Sequence, residues 1–127
     1  MPAPHAHPNR AGLTGKELLF KTLRHEPAPA LPWVPFVGVH AGLLKGHSAR
    51  AVLTDPAKLL ESLLEANRLY TPDGQPVVFD LQIEAEILGC ELMWSEDSPP
   101  MVVTHPLETS MAVPTHLPAP DEGRLPM

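Results

Sequence analysis

Asp80 is the side chain best placed to do chemistry. It directly follows Val77-Val78-Phe79, a short apolar run expected to form a buried strand. Barrels that alternate strands with helices build their active sites at the C-terminal ends of the strands, and a carboxylate there can hold a cationic group or exchange a proton. The same residue also suits the start of a helix from Leu81, where an aspartate caps free amides. His40 directly follows an apolar segment ending at Val39, which makes it a candidate substrate contact. Glu84 and Glu86 lie two apart on the helix expected after Asp80, so they point to opposite sides and form no acid–base pair. Glu84 is the candidate for facing a pocket; a solvated face is the plainer reading of both.

Other chemistries lack their residues. The seven histidines do not gather: His5 and His7 lie in a proline-rich start, and His40 and His47 share a glycine-rich stretch with no cysteine nearby. A structural zinc takes four ligands, so no metal site is expected. Gly38, Gly42 and Gly46 match neither phosphate-loop pattern. No nucleophile elbow is present. Cys90, the single cysteine, precludes a disulfide within the chain and reads as a small buried hydrophobe. A reducing cytoplasm is the expected setting. The net charge of −6 and the scattered basic residues exclude a nucleic-acid footprint. No apolar run approaches the roughly 20 residues of a membrane helix.

The elements that must position these residues follow from caps and breakers. Residues 1–13 read as a disordered tail. Thr14 and Glu17 form a capping box for a first helix, with His25 in its last turn and Pro27 and Pro29 ending it. Val34–Val39 is the expected first strand, although Pro32 and Pro35 cannot donate to a ladder. A flexible loop then runs to His47-Ser48. Asp55 caps and Pro56 opens a second helix, with Leu59, Leu60, Leu63, Leu64 and Asn67 on one stripe and i,i+3 charge pairs opposite. Asp73-Gly74 reads as a turn. A helix over about Leu81–Leu88 ends at Gly89, and Glu91–Trp94 with Met101–Thr104 reads as a hairpin. Strands alternating with helices indicate parallel α/β architecture. Two such strands cannot close a sheet, and a full barrel takes about 250 residues. The expected fold class is therefore α/β: an incomplete TIM (β/α)8 barrel, N-terminal portion only, over residues 14–127.

Several stretches together resemble the uroporphyrinogen decarboxylase superfamily. They are Thr14-Gly15-Lys16-Glu17, Arg24-His25-Glu26-Pro27, Leu31-Pro32-Trp33-Val34-Pro35, Asp55-Pro56 and Asp73-Gly74. Val78-Phe79-Asp80-Leu81, Glu84 through Glu91, and Glu96-Asp97-Ser98-Pro99-Pro100 complete the set. The resemblance implies a TIM barrel and two branches of activity. In the decarboxylase branch a catalytic aspartate follows a strand and contacts pyrrole nitrogens, and Asp80 resembles it in place. That branch also carries an Arg-Gln-Ala-Gly-Arg motif for substrate carboxylates. Here the stretch is Val39-His40-Ala41-Gly42-Leu43, and both arginines are gone. A substrate with many carboxylates needs bidentate cations, so the loss matters physically.

The other branch moves a methyl group from methylated corrinoid to a thiol activated by zinc. Glu84-Ala85-Glu86-Ile87-Leu88-Gly89-Cys90 looks more like this branch. Its zinc ligands are a His-x-Cys pair and a later Cys; Leu88 stands two before Cys90, so that motif is not here. The resemblance implies no cofactor within this portion, with zinc and corrinoid reserved for a full-length methyltransferase-like protein. A tetrapyrrole or a methylated-corrinoid protein would be the partner. The expectation is a methyltransferase-like member, inactive as this portion alone. A non-catalytic remnant or interaction module is the alternative, and a small stand-alone α/β binding domain is a third.

Overall fold

A computed structural model of the chain describes residues 10–77, 80–106, 117–119 and 121–123. Among the described residues the order is α1 (Gly15–Leu23), α2 (His40–Leu43), α3 (Ala49–Thr54), α4 (Pro56–Tyr70), α5 (Ile83–Ile87), β1 (Leu92–Met93) and β2 (Met101–Val102). The strands pair antiparallel, Leu92 opposite Val102 and Met93 opposite Met101, as expected of the hairpin. The architecture is mixed helix and strand, and no barrel is present among the described residues.

The helix starts obey local rules. The Thr14 hydroxyl accepts from the Glu17 amide while Glu17 reaches back to the Thr14 amide at 2.8 Å. Asp55 Oδ1 accepts from the amides of Ala57 and Lys58, with Pro56 at the first helical position. His25 does not sit in the last turn of α1. It takes a left-handed φ of 57° just past the helix, where the amides of His25 and Glu26 bond the Thr22 and Lys21 carbonyls. This is the double-bonded helix ending that usually recruits glycine. Gly89 ends α5 in the same way, with φ 93° and the Cys90 amide bonded to the Ala85 carbonyl.

One stretch expected as loop, and one given no element, are helical. Val39 to Leu43 winds into α2, and Ser48 caps α3 by accepting the Ala51 amide. Alanine and glycine let α2, α3 and α4 approach closely, and these three pack on one another. The buried positions are Ala41, Gly42, Ala49, Val52, Leu53, Ser62 and Ala66. Close approach also corrects the face of α4. Ser62 and Ala66 point inward, while Leu60 and Leu64 are 59% and 62% exposed. The leucine stripe is thus not the buried face as a whole, because a small-residue seam admits the neighbouring helices more closely than leucine would.

The segment expected as the first strand forms no ladder among the described residues. Trp33 instead bonds one residue across the chain: the Trp33 amide donates to Asp73 Oδ2 at 2.9 Å, and the Asp73 amide donates to the Trp33 carbonyl at 2.9 Å. Pro32 and Pro35 remove donors on either side, so a single reciprocal pair replaces a ladder. Val78 and Phe79 lie outside the described residues, as do the first nine residues of the expected tail. Residues 10–13, also assigned to that tail, form a turn in which the Leu13 amide bonds the Arg10 carbonyl.

Two changes test this packing. A Cβ at Gly42 would collide with Val52 Cγ2 and press on the His47 carbonyl. Gly42→Ala is expected to destabilise by about 1–3 kcal/mol, and Leu60→Ala by less than about 0.5 kcal/mol, in urea unfolding. Asp73→Ala leaves the Trp33 amide and Arg10 without their partner, and its expected cost in the same measurement is about 2–4 kcal/mol.

Candidate functional site

The site is built where α2 meets the end of α4. His40 is the first residue of α2 and Tyr70 the last of α4. Their rings lie 6.0 Å apart at an interplanar angle of 27°, and His40 Nε2 is 2.7 Å from the Tyr70 hydroxyl. Tyr70 carries no sequence signal as a partner, since it lies thirty residues from His40 and only the packing of α2 on α4 joins them.

Around the other end of α2 lies a charge network. Lys45 Nζ is 2.8 Å and His47 Nε2 is 3.3 Å from the Glu61 carboxylate. Glu65 and Arg68 form a close pair one turn further along α4, at 2.6 Å. Of the i,i+3 pairs expected on α4, Glu65 with Arg68 is present. Lys58 turns instead to Asp55 at 3.4 Å, which frees Glu61 for Lys45 and His47. The hydrogen bonds from Lys45 and His47, and the charge of Lys45, hold Glu61 below its ordinary pKa of 4.5, while Glu61 raises Lys45. The Lys58 and Ala57 amides likewise lower Asp55, and the Thr14 amide and hydroxyl lower Glu17.

Asp80 Oδ1 accepts from the Gln82 amide at 2.9 Å, so the carboxylate is half-buried and turned onto the entrance of α5. Glu84 is exposed on α5 and Glu86 half-buried. α5 is not part of the α2–α3–α4 packing that positions His40. Cys90, expected as buried, is partly exposed with a free thiol. Trp94 is half-buried with the Arg50 guanidinium 5.4 Å from its ring centroid, and Trp33 is 40% exposed. Among the described residues no three His, Cys, Asp or Glu side chains gather to hold a metal ion, and no helix is long and apolar enough to cross a membrane.

The residues that flank the buried part of α2 can now be placed. Val39 precedes α2 and Leu43 ends it half exposed, so neither offers a cation, and the nearby Lys45 is committed to Glu61. A family model described as uroporphyrinogen decarboxylase (URO-D) matches residues 14–127. The chain belongs to the uroporphyrinogen decarboxylase family. No curated protein and no solved structure matches it. The family match opens at the capping Thr14 and spans His40, Tyr70, Asp80 and Glu84.

The lowered carboxylates make stability depend on acidity. A group whose folded pKa lies below its unfolded one stabilises fully above the unfolded value, and that contribution is lost as pH falls through the folded value. The chain is expected to lose stability as pH falls below about 4.5, the ordinary Glu61 value. Glu61→Gln should lower the urea midpoint at pH 7 and shrink the difference between midpoints at pH 7 and pH 3.

Proposed function

We propose that this chain is the N-terminal part of a (β/α)8 barrel, methyltransferase-like rather than a true decarboxylase, and inactive without further strands. The single observation behind the choice of branch is the cation-free α2. A substrate rich in carboxylates needs guanidinium forks to replace its water shell. Val39 and Leu43 supply none, and Lys45 is neutralised by Glu61 at 2.8 Å. The proposal of a larger barrel draws support from the surface. Phe36, Val77 and Leu81 are 66%, 69% and 68% exposed, which is apolar area that further elements would cover.

In this reading Asp80 is the catalytic carboxylate and His40 and Glu84 contact substrate. Asp80 accepts the Gln82 amide in the turn just before α5, which restrains its carboxylate before substrate arrives. Zinc and corrinoid belong to the methyl-transfer branch. The described residues offer no ligand cluster for the metal, so its ligands would come from elsewhere in the barrel and no step is assigned to it here.

Two assays and one sequence test the proposal. The chain is expected to release no carbon dioxide from uroporphyrinogen. Decarboxylation that Asp80→Asn abolishes would sink the branch assignment and the claim of inactivity together. Reading the gene past the codon for Met127 should give enough frame for a barrel of about 250 residues. A His-x-Cys and a later Cys there would support methyl transfer, with transfer from methylcorrinoid to a thiol by the full protein as the direct check.

A further inference from the structure

The hydrogen bond between His40 and Tyr70 joins a ring nitrogen, which donates or accepts according to its tautomer, to a hydroxyl that can do either. At 2.7 Å it falls at the usual length of a bond donated by O–H, and it is shorter than the roughly 2.9–3.0 Å typical of N–H donors. A phenol O–H is a strong hydrogen-bond donor, and a bare imidazole nitrogen is a good acceptor for it. Both features favour Nε2 as the acceptor, an arrangement that places the ring proton on Nδ1. The second ring nitrogen has no further hydrogen-bond partner among the described residues, and His40 is exposed. The near-parallel stack at 27° and 6.0 Å restrains rotation of the imidazole about its own bond to the chain. Below the pair, Ala41 and Gly42 are buried against α3 and α4, so the backbone that carries His40 is fixed as well.

We infer that Tyr70 is the positioning residue of His40: its hydroxyl donates to Nε2 and presents the imidazole as a single Nδ1–H donor toward one oxygen acceptor of the substrate. The inference rests on the reading of His40 as a substrate contact and narrows it. One neutral N–H donor at this place suits a lone carboxylate or carbonyl oxygen. It does not replace a pair of guanidinium forks, which accords with a substrate poorer in carboxylates at this position. Lys45, His47 and Glu61 are tied to one another beyond the far end of α2 and leave the Nδ1 edge to substrate.

The experiment is nitrogen-15 NMR of the histidine ring in the intact chain at about pH 8. The His40 signals are assigned by their loss in His40→Ala. The wild-type chain is expected to show a protonated Nδ1 and a bare Nε2. In Tyr70→Phe, which keeps the ring and removes only the hydroxyl, His40 should revert to the Nε2–H tautomer that free imidazole side chains prefer. A wild-type proton on Nε2, or the same tautomer in Tyr70→Phe as in wild type, would overturn the inference. The wild-type spectrum decides the tautomer alone, so a variant that fails to fold does not spare the proposal. The substrate reading fails separately. If His40→Ala leaves the rate of the full-length enzyme unchanged while wild-type His40 keeps its Nδ1 proton, the positioning by Tyr70 stands and the substrate contact does not.

Discussion

One buried carboxylate organises the chain. The Asp73 side chain is 2% exposed and lies 2.9 Å from Arg10. Its Oδ2 receives the Trp33 amide, and its own amide returns a bond to the Trp33 carbonyl. An isolated ionised carboxylate in such surroundings would be prohibitively costly, so the fold must bring it both a cation and donors. The Arg10 contact is a charge contact rather than an aligned hydrogen bond, since Arg10 Nε and Asp73 Oδ1 are left without one. The Trp33 amide therefore does the directional work. Space is equally constrained. A Cβ on Gly15 would lie 2.7 Å from Asp73 Cα, so α1 can start this close only with glycine there.

That constraint reaches the site through the end of α4. Thr71 stops the helix with a left-handed φ of 46°, unusual for a branched residue, and its carbonyl receives a bond from Arg10 at 3.4 Å. The reversal turns the chain so that Asp73 meets Trp33 and Gly74 packs between Leu19 and Val34. Tyr70 is the residue just before this reversal, and His40 follows the segment that Trp33 anchors. The same clamp thus fixes both members of the His40–Tyr70 pair from opposite ends. The small-residue seam of α2, α3 and α4 supplies the remaining register.

The electrostatics near α2 follow from where α4 spends its charges. Glu61 faces Lys45 and His47 rather than its neighbour Lys58, which turns back to the capping Asp55. Cations close to the site are consumed in pairs, and Val39 and Leu43, on either side of the buried Ala41 and Gly42, are apolar.

Local chemistry was readable directly. The capping box at Thr14, the Asp55-Pro56 start, Gly89 past α5 and the hairpin each depend on groups a few residues apart, and the family resemblance rests on the order of such pieces. Asp80 does not cap a helix from Leu81: α5 starts at Ile83 with Gln82 as its cap residue, and Asp80 bonds the Gln82 amide in the turn before it. Other features depended on distant partners. Which side of α4 is buried was decided by the small residues of α2 and α3, not by the leucines of α4 itself. Asp73 read as a turn residue and Arg10 as tail because the Trp33 amide that completes their cluster lies far along the chain. The Val34–Val39 segment has strand composition, yet a ladder needs a neighbour, and the only reciprocal pair near it among the described residues is the one Trp33, just before it, makes with Asp73. Tyr70 was invisible beside His40 until two helices were packed. Sequence alone determined the caps, the breakers and the family, because their energies are set within one or two turns. Tertiary structure decided the buried carboxylate, the helix faces and the His40–Tyr70 pair, because each forms only when groups remote in sequence are packed together.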